Sequence, residues 1–314
     1  MRATMRSVGV ALAAAGCAVS LAVTTATAAE AANKALMVNG MGAGNLSDIA
    51  MAAILNGMFK NYSRQNIPWP QQAGPITGKT DMTLSQSVKV GADNLDVALV
   101  AALAQLGPGE HVTIVGLSAG ALVVDEELKR LAASPSAPDK GKLNVVVVAD
   151  SSRNLFNKNR FDRNLNYKYT TPVPTKYDTK VVTGQYDGYA DFPDRPNAVA
   201  VANAIAGSQL IHIPSMLTDL SKVPASNITT VKNALGGVTT SYLVPTPTLP
   251  LVMLNPKLKP KEAQLRKTID AAYSRNDPKV AAAATAQAPA AAAAAPVAKR
   301  TTVKAARAAA ASRS

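Results

Sequence analysis

The segment G-L-S-A-G at residues 116–120 matches the G-x-S-x-G pattern of a nucleophilic serine. An apolar stretch, residues 112–115, precedes it, and an alanine-rich stretch typical of a helix follows it. A strand-turn-helix context of this kind presents a serine on a sharp turn, and the flanking glycines leave room for that turn. We therefore predict that Ser118 attacks acyl carbonyls. The alternative is an ordinary turn between a strand and a helix.

A serine nucleophile needs a base, and the sequence contains two histidines. His111 precedes Ser118, at the far end of the strand that leads to it. His212 follows Ser118 and lies in an apolar segment, residues 209–213, which we expect to be a strand. In α/β-hydrolases the chain order is serine, acid, histidine. His212 is therefore the predicted base, with a structural histidine packed in its strand as the alternative.

Three aspartates between Ser118 and His212 follow apolar, strand-like segments and are candidates for the acid of a triad. Asp187 comes directly after residues 181–186, in the position from which a carboxylate orients an imidazole. Asp191 is four residues further along, and Asp150 ends an earlier strand. Asp187 is the preferred acid, and Asp191 and Asp150 remain alternatives.

An oxyanion formed at Ser118 needs two hydrogen-bond donors, and the sequence offers both from backbone amides. The amide N–H of Ala119 lies at the start of the helix that follows the serine, where N–H groups are free. The second donor is expected in the first strand-to-helix loop, N-G-M-G at residues 39–42, from Met41 with Gly42 next to it. A tight glycine turn with no catalytic part is the alternative for this loop.

The elements that must position these residues alternate between strand-like and helix-like patterns. This alternation predicts a mostly parallel sheet with helices on both faces, the α/β class and the α/β-hydrolase arrangement. Strands are expected at residues 34–38, 111–115, 143–149, 179–186 and 209–213, and helices at residues 46–60, 85–106, 119–131 and 198–206.

The composition excludes several classes of protein. The 314 residues are 47% hydrophobic, enough for a sizeable core. One cysteine, Cys17, and two histidines argue against a disulfide framework and a metal site built on thiolates or on several imidazoles. The serine mechanism needs no metal or organic cofactor, so none is expected. A net charge of +13 permits polyanion binding, whereas 4% aromatic residues make stacking on nucleic-acid bases improbable.

Both ends of the chain differ in composition from residues 33–277, which we predict to be the hydrolase domain. Residues 1–32 combine two early arginines, an apolar run and an A-T-A segment, the pattern of a Sec-type signal peptide and of a secreted or envelope-associated protein. A membrane anchor and lipidation at Cys17 are the alternatives. Residues 278–314 form an alanine-rich basic segment that we predict to be a disordered tail, with an anionic envelope surface as its expected partner or with no specific role.

Several segments after Ser118 are specific enough to indicate a family. The most specific is Q-Y-D-G-Y-A-D-F-P at residues 185–193, followed by P-N at 196–197 and A-N-A at 202–204. Further segments are T-T-S-Y-L-V-P-T at residues 239–246, L-P-L at 249–251 and I-D-A-A-Y at 269–273. Together they resemble the PE-PPE C-terminal domain of mycobacteria and their relatives, a cutinase-like serine α/β-hydrolase, over about residues 34–277. A signal-peptide pattern stands where this family carries a PE or PPE module.

The resemblance implies an esterase or lipase that acts on acyl esters, or an enzyme that transfers acyl groups to envelope glycolipids. The residues alone are consistent with either reaction. Two further interpretations stay open: a non-catalytic envelope-binding protein, and a polyanion binder that uses the basic tail.

Overall fold

In the computed structural model, which describes residues 33–277, the buried residues lie on the central strands and on the helices that pack against them. The predicted signal peptide, residues 1–32, and the predicted tail, residues 278–314, lie outside the described residues. The described strands are β1 (Lys34–Val38), β2 (Ser63–Asn66), β3 (Val112–Leu117), β4 (Leu143–Val148), β5 (Phe161–Asp162), β6 (Tyr167–Lys168), β7 (Asp178–Gly184), β8 (Ile228–Lys232) and β9 (Val238–Val244).

Seven of these strands form one sheet in the order β2-β1-β3-β4-β7-β9-β8, and β5 and β6 pair separately. The sheet is parallel except for β8, which runs antiparallel to β9. All parallel strands therefore end at the same edge, where the loops that follow them meet. The described helices are α1 (Asp48–Gly57), α2 (Leu84–Ala104), α3 (Ala119–Ala133), α4 (Ala198–Leu210), α5 (His212–Ser215), α6 (Pro250–Leu254) and α7 (Glu262–Asp270).

Helices cover both faces of the sheet, because its central strands are apolar on both sides. In β4, Val145 and Val147 pack on the face covered by α2 and α3. Val146 and Val148 point to the opposite face, where Met51 of α1 packs. This arrangement confirms the predicted α/β-hydrolase fold, a mostly parallel sheet between two helical layers. Within residues 33–277, no helix has both the length and the apolar character needed to cross a bilayer.

The expected strand at residues 209–213 is wrong, because this segment is helical. α4 continues to Leu210, and α5 begins at His212. The backbone N–H of Ile211 donates to Gly207, and that of Ser215 donates to Ile211, as in a helix. A short apolar run has no periodicity that separates a strand from a buried helical turn, which explains the error.

Glu127 of α3 is a buried carboxyl group without a hydrogen-bond partner among the described residues. Burial, with a smaller contribution from the Asp96 carboxylate, raises the pKa of Glu127 to about 7. The folded protein therefore binds this proton more tightly than the unfolded chain does, so the free energy of unfolding falls as the pH rises toward 7.

We predict that Glu127→Gln stabilises the protein at alkaline pH. Above about pH 8 the ionised carboxyl costs up to about 3 kcal/mol of unfolding free energy, and glutamine removes this cost. Near pH 5 the carboxyl is protonated in the folded state, and the two proteins should differ little. Urea unfolding at both pH values is the measurement, with Glu126→Gln as the matched control. An equal difference at both pH values would contradict the prediction.

Candidate active site

Ser118 occupies the sharp turn between β3 and α3, with backbone angles of φ 55° and ψ −126°. This conformation is strained for a residue with a side chain. Glycines make the turn possible: a Cβ on Gly116 would lie 2.6 Å from the Cα of Ala121, and one on Gly120 would lie 2.1 Å from the carbonyl oxygen of Val38. Both glycines of the motif are therefore required by close backbone packing.

His212 and Asp187 complete a hydrogen-bonded line that begins at the serine. The Oγ of Ser118 lies 2.9 Å from Nε2 of His212, and Nδ1 of His212 lies 2.7 Å from Oδ2 of Asp187. The other carboxylate oxygen of Asp187 accepts the backbone N–H of Tyr189 at 3.0 Å. His212 and Asp187 are both buried, so the contact between Nδ1 and Oδ2 is shielded from water, whereas Ser118 is half-buried. The structure thus brings together the three side chains that the sequence predicted for a triad.

A helical turn, rather than a strand, holds His212 in this line. Its carbonyl oxygen accepts the hydroxyl of Ser215 at 2.7 Å. The ring of Tyr189 packs edge-on against the imidazole, with 4.7 Å between ring centroids. Tyr189 is a contact that the sequence analysis missed, although its position two residues after Asp187 places it in the same loop.

Asp150, an alternative acid, belongs to a hydrogen-bond network that does not include His212. Its carboxylate accepts the backbone N–H and the hydroxyl of Ser152 and the guanidinium of Arg153, each at 2.8 Å. The Ser152 hydroxyl also lies 2.5 Å from the carboxyl of Asp125, whose pKa is raised well above its usual value, first by burial and then by the Asp150 charge. The Ser152 hydroxyl thus lies between the two carboxyl groups and links them. Asp150 therefore shapes this loop and makes no hydrogen bond to His212.

Asp191, the other alternative acid, belongs to a largely buried ion pair. Both of its oxygens accept from the guanidinium of Arg275, at 2.9 and 2.7 Å. It also accepts the backbone N–H of Tyr186 at 2.7 Å. Arg275 in turn packs on the ring of Tyr273, 4.2 Å from its centroid. Asp191 thus connects the loop after β7 to the last described residues and does not contact the imidazole.

We predict that Asp191→Ala lowers the free energy of unfolding by about 3 kcal/mol, because it leaves Arg275 a buried cation without its partner. Asp277→Ala is the matched control, since the Arg195–Asp277 ion pair is solvent-exposed and its loss should change the free energy of unfolding far less. Urea unfolding of both variants makes the comparison. Equal losses would contradict the structural role of Asp191.

The loop after β1 lies directly against the serine. A Cβ on Gly40 would be 3.0 Å from the Cβ of Ser118. The indole N–H of Trp69 donates to the carbonyl oxygen of Asn39 at 3.0 Å and fixes the start of this loop. Among the hydrogen bonds of residues 33–277, the backbone N–H groups of Ala119 and Met41 have no acceptor. Both predicted oxyanion donors are free, and their role stays a prediction.

His111 lies away from this arrangement, just before β3, whereas Ser118 follows the other end of that strand. Its Nε2 is 3.3 Å from the hydroxyl of Tyr62. Burial, together with the charge of Lys180, lowers the pKa of His111. Within the described range, no group of three or more His, Cys, Asp or Glu side chains could hold a metal ion.

A cavity of about 880 Å³ opens beside Ser118 and His212. Its size is in the range of pockets that enclose organic ligands. Apolar side chains dominate its walls and make it suitable for a hydrocarbon chain. They include Leu46, Ile54, Leu122, Phe156, Phe192 and Met216.

Comparison with known proteins places this arrangement in a family. The PE-PPE domain model matches residues 60–274. The chain is 37% identical over 230 residues to the diacyltrehalose acyltransferase Chp2 of Mycobacterium tuberculosis, covering 67% of this chain and 62% of the relative. It is 32% identical over 237 residues to the esterase PE16 of the same organism, covering 69% of this chain and 43% of the relative.

Among solved structures, a cutinase-like protein from Cryptococcus sp. is similar with a TM-score of 0.36 and 14% identity, over 60% of this chain and 98% of that one. The chain spans less than two thirds of the length of either mycobacterial relative. The family model, however, covers more than half of the chain and includes Ser118, Asp187 and His212. The chain therefore belongs to the PE-PPE domain family.

Proposed function

We propose that this protein is an exported serine hydrolase that acts on carboxylic (acyl) esters through an acyl-enzyme formed on Ser118. The observation that carries the proposal is the line of hydrogen bonds from Asp187 through His212 to Ser118, at 2.7 and 2.9 Å. The apolar cavity beside the serine supports an acyl substrate. The names of the relatives, an acyltransferase and an esterase, are consistent with acyl-ester chemistry.

In the proposed reaction, the Oγ of Ser118 attacks the ester carbonyl carbon while Nε2 of His212 accepts the hydroxyl proton. The carbonyl π electrons move to oxygen and form an oxyanion. When the tetrahedral intermediate collapses, the C–O bond to the alcohol breaks and His212 returns the proton to the departing oxygen. Water then attacks the acyl-serine by the same steps, and the acid and free Ser118 are released.

Asp187 holds the imidazole in the tautomer that this sequence requires. Its Oδ2 accepts the Nδ1 proton of His212, which leaves Nε2 free to accept from Ser118. The carboxylate also stabilises the imidazolium that forms during attack. The amide N–H groups of Ala119 and Met41, with Gly42 next to the latter, are the proposed oxyanion donors. Each could stabilise the transition state by about 3 kcal/mol.

The second candidate is transfer of the acyl group to a sugar hydroxyl of an envelope glycolipid, with the sugar replacing water in the second step. The 37% identity to an acyltransferase is the observation that favours it. Export rests on the signal-peptide pattern of residues 1–32, and binding to an anionic envelope surface rests on the basic residues of 278–314.

An ester series assayed with and without a sugar acceptor tests these proposals. Purified protein should release acid from p-nitrophenyl esters, and acyl-sugar product should appear with trehalose or a trehalose ester only if transfer occurs. Ser118→Ala is the control for both products. If the folded protein turns over none of the esters, the proposed enzymatic function is rejected and a non-catalytic binding protein is favoured.

A further inference from the structure

The cavity that contains Ser118 opens through a ring of exposed apolar side chains. Ile76, Ile213 and Leu217 are 64%, 60% and 52% exposed, although soluble proteins expose few contiguous apolar residues without a partner. We call the following cavity-lining residues the apolar rim: Met41, Ile76, Phe156, Tyr189, Ile213 and Leu217. The rim is therefore a continuation of the cavity wall onto the surface.

The apolar surface extends beyond the rim. Ile49 of α1 is 83% exposed, one helical turn before Ala53, which lines the cavity. Leu155 is also exposed and directly precedes Phe156 of the rim. Both side chains widen the patch without lining the cavity itself.

The charge around the cavity narrows the choice of partner. Among the described residues that line it, Arg160 is the one with a permanently charged side chain. Its guanidinium lies over the ring of Phe156, 4.5 Å from the centroid, and 3.7 Å from the carboxylate of Asp162. The described lining of the cavity thus carries one permanent charge, which is paired with a carboxylate, and this favours a partner with an apolar surface over a polyanion or an acidic protein.

We propose that the apolar rim docks onto a lipid layer and that the ester enters the cavity from that layer, acyl chain first. The ester chemistry rests on the proposed function, whereas docking itself needs no turnover. Because the rim surrounds the mouth of the cavity, whatever covers it must also admit the substrate. A protein partner or a second copy of this chain would close the mouth, whereas a lipid layer supplies the ester.

Sedimentation with phosphatidylcholine vesicles tests the docking. The assay uses Ser118→Ala protein without the predicted signal peptide, residues 1–32, because that apolar segment could itself enter a bilayer. A salt concentration of about 0.5 M screens any contribution of the basic tail. This protein should bind the vesicles. Ile49→Ser and Ile213→Ser, each added to this protein, should weaken vesicle binding about tenfold. Each removes a large apolar side chain that would otherwise move from water into the lipid layer.

Leu235→Ser is the matched control. Leu235 is 59% exposed in the turn between β8 and β9, at the edge of the sheet opposite the cavity, and its loss should leave binding unchanged. Equal binding by all variants, binding that disappears in salt, or a concentration-dependent dimer in place of vesicle binding would each overturn the proposal. Vesicle binding without any ester turnover by the wild-type protein would reject the proposed function and leave the docking intact.

Discussion

Ser118→Ala will abolish ester hydrolysis, lowering kcat by about 10⁶ while the protein stays folded. The hydroxyl is the atom that forms the acyl bond, and no other described hydroxyl lies within hydrogen-bond distance of Nε2 of His212. Alanine removes the Oγ of Ser118 but keeps its Cβ, so the packing against Gly40 is preserved. Initial rates on a soluble p-nitrophenyl ester measure the loss of activity, and the thermal unfolding temperature shows whether the protein stays folded.

Two variants control this experiment. Ser136→Ala removes an exposed serine that hydrogen-bonds only near its own turn, and it should keep wild-type activity. His111→Asn should also remain active, because His111 lies at the opposite end of β3 from the serine. Retention of more than about a tenth of the wild-type rate by Ser118→Ala would reject Ser118 as the nucleophile.

Asp187→Asn will lower kcat by about 10⁴, since an amide cannot hold His212 in the required tautomer or stabilise the imidazolium. The wild-type carboxylate accepts Nδ1–H at 2.7 Å, whereas asparagine can present an N–H to the same ring nitrogen and turn Nε2 into a donor. The substitution keeps the size of the side chain and its contact with the Tyr189 amide. The measurement is kcat on the same ester, per folded protein.

Asp150→Asn and Asp191→Asn provide the comparison. Each changes a carboxylate that binds an arginine rather than the imidazole, so activity per folded protein should fall far less. A larger loss at either position than at Asp187 would reassign the acid while leaving the nucleophile in place.

The central part of the fold could be predicted from the sequence because its strands are apolar on both faces. β1, β3 and β4 appear as short, mostly apolar segments, and β7 has an apolar centre at Val181 and Val182. The long crossover segments between these strands, which contain α-helices between β1 and β3 and between β3 and β4, allow them to run parallel. This topology brings the carboxyl ends of the strands to one edge. Ser118 and Asp187 follow two of those ends, so the serine motif, the chain order and the positions after strands together nominated the residues that the structure brings together.

The far edge of the sheet could not be predicted in this way. β8 and β9 consist largely of threonine, serine and other half-exposed residues, so they lack both an apolar run and a clear alternation. β9 is a strand because it pairs with β7, and β8 is a strand because it pairs with β9. The ion pair between Asp191 and Arg275 could not be predicted either. Arg275 lies 84 residues after Asp191, and only the tertiary packing brings the two side chains together.

Helix α1 shows how tertiary contacts shorten an element that local sequence favours. A helix was expected over residues 46–60, yet Leu55 and Asn56 adopt left-handed backbone conformations. The backbone N–H of Leu55 donates to the carbonyl oxygen of Met216 at 2.8 Å, instead of continuing the helix. This hydrogen bond connects the bend in α1 to the segment that follows His212. Ile54, which lies at the bend, lines the cavity. No local pattern encodes such a contact.

Mass-spectrometric mapping of a fluorophosphonate probe on the wild-type protein tests the central claim most directly. Such a probe phosphonylates a serine oxygen only where a neighbouring base and oxyanion donors activate it. We expect one phosphonyl group, on the peptide that contains Ser118, with labelling lost in Ser118→Ala and strongly slowed in Asp187→Asn. Labelling of a different residue, or no labelling of the folded wild-type protein, would contradict it.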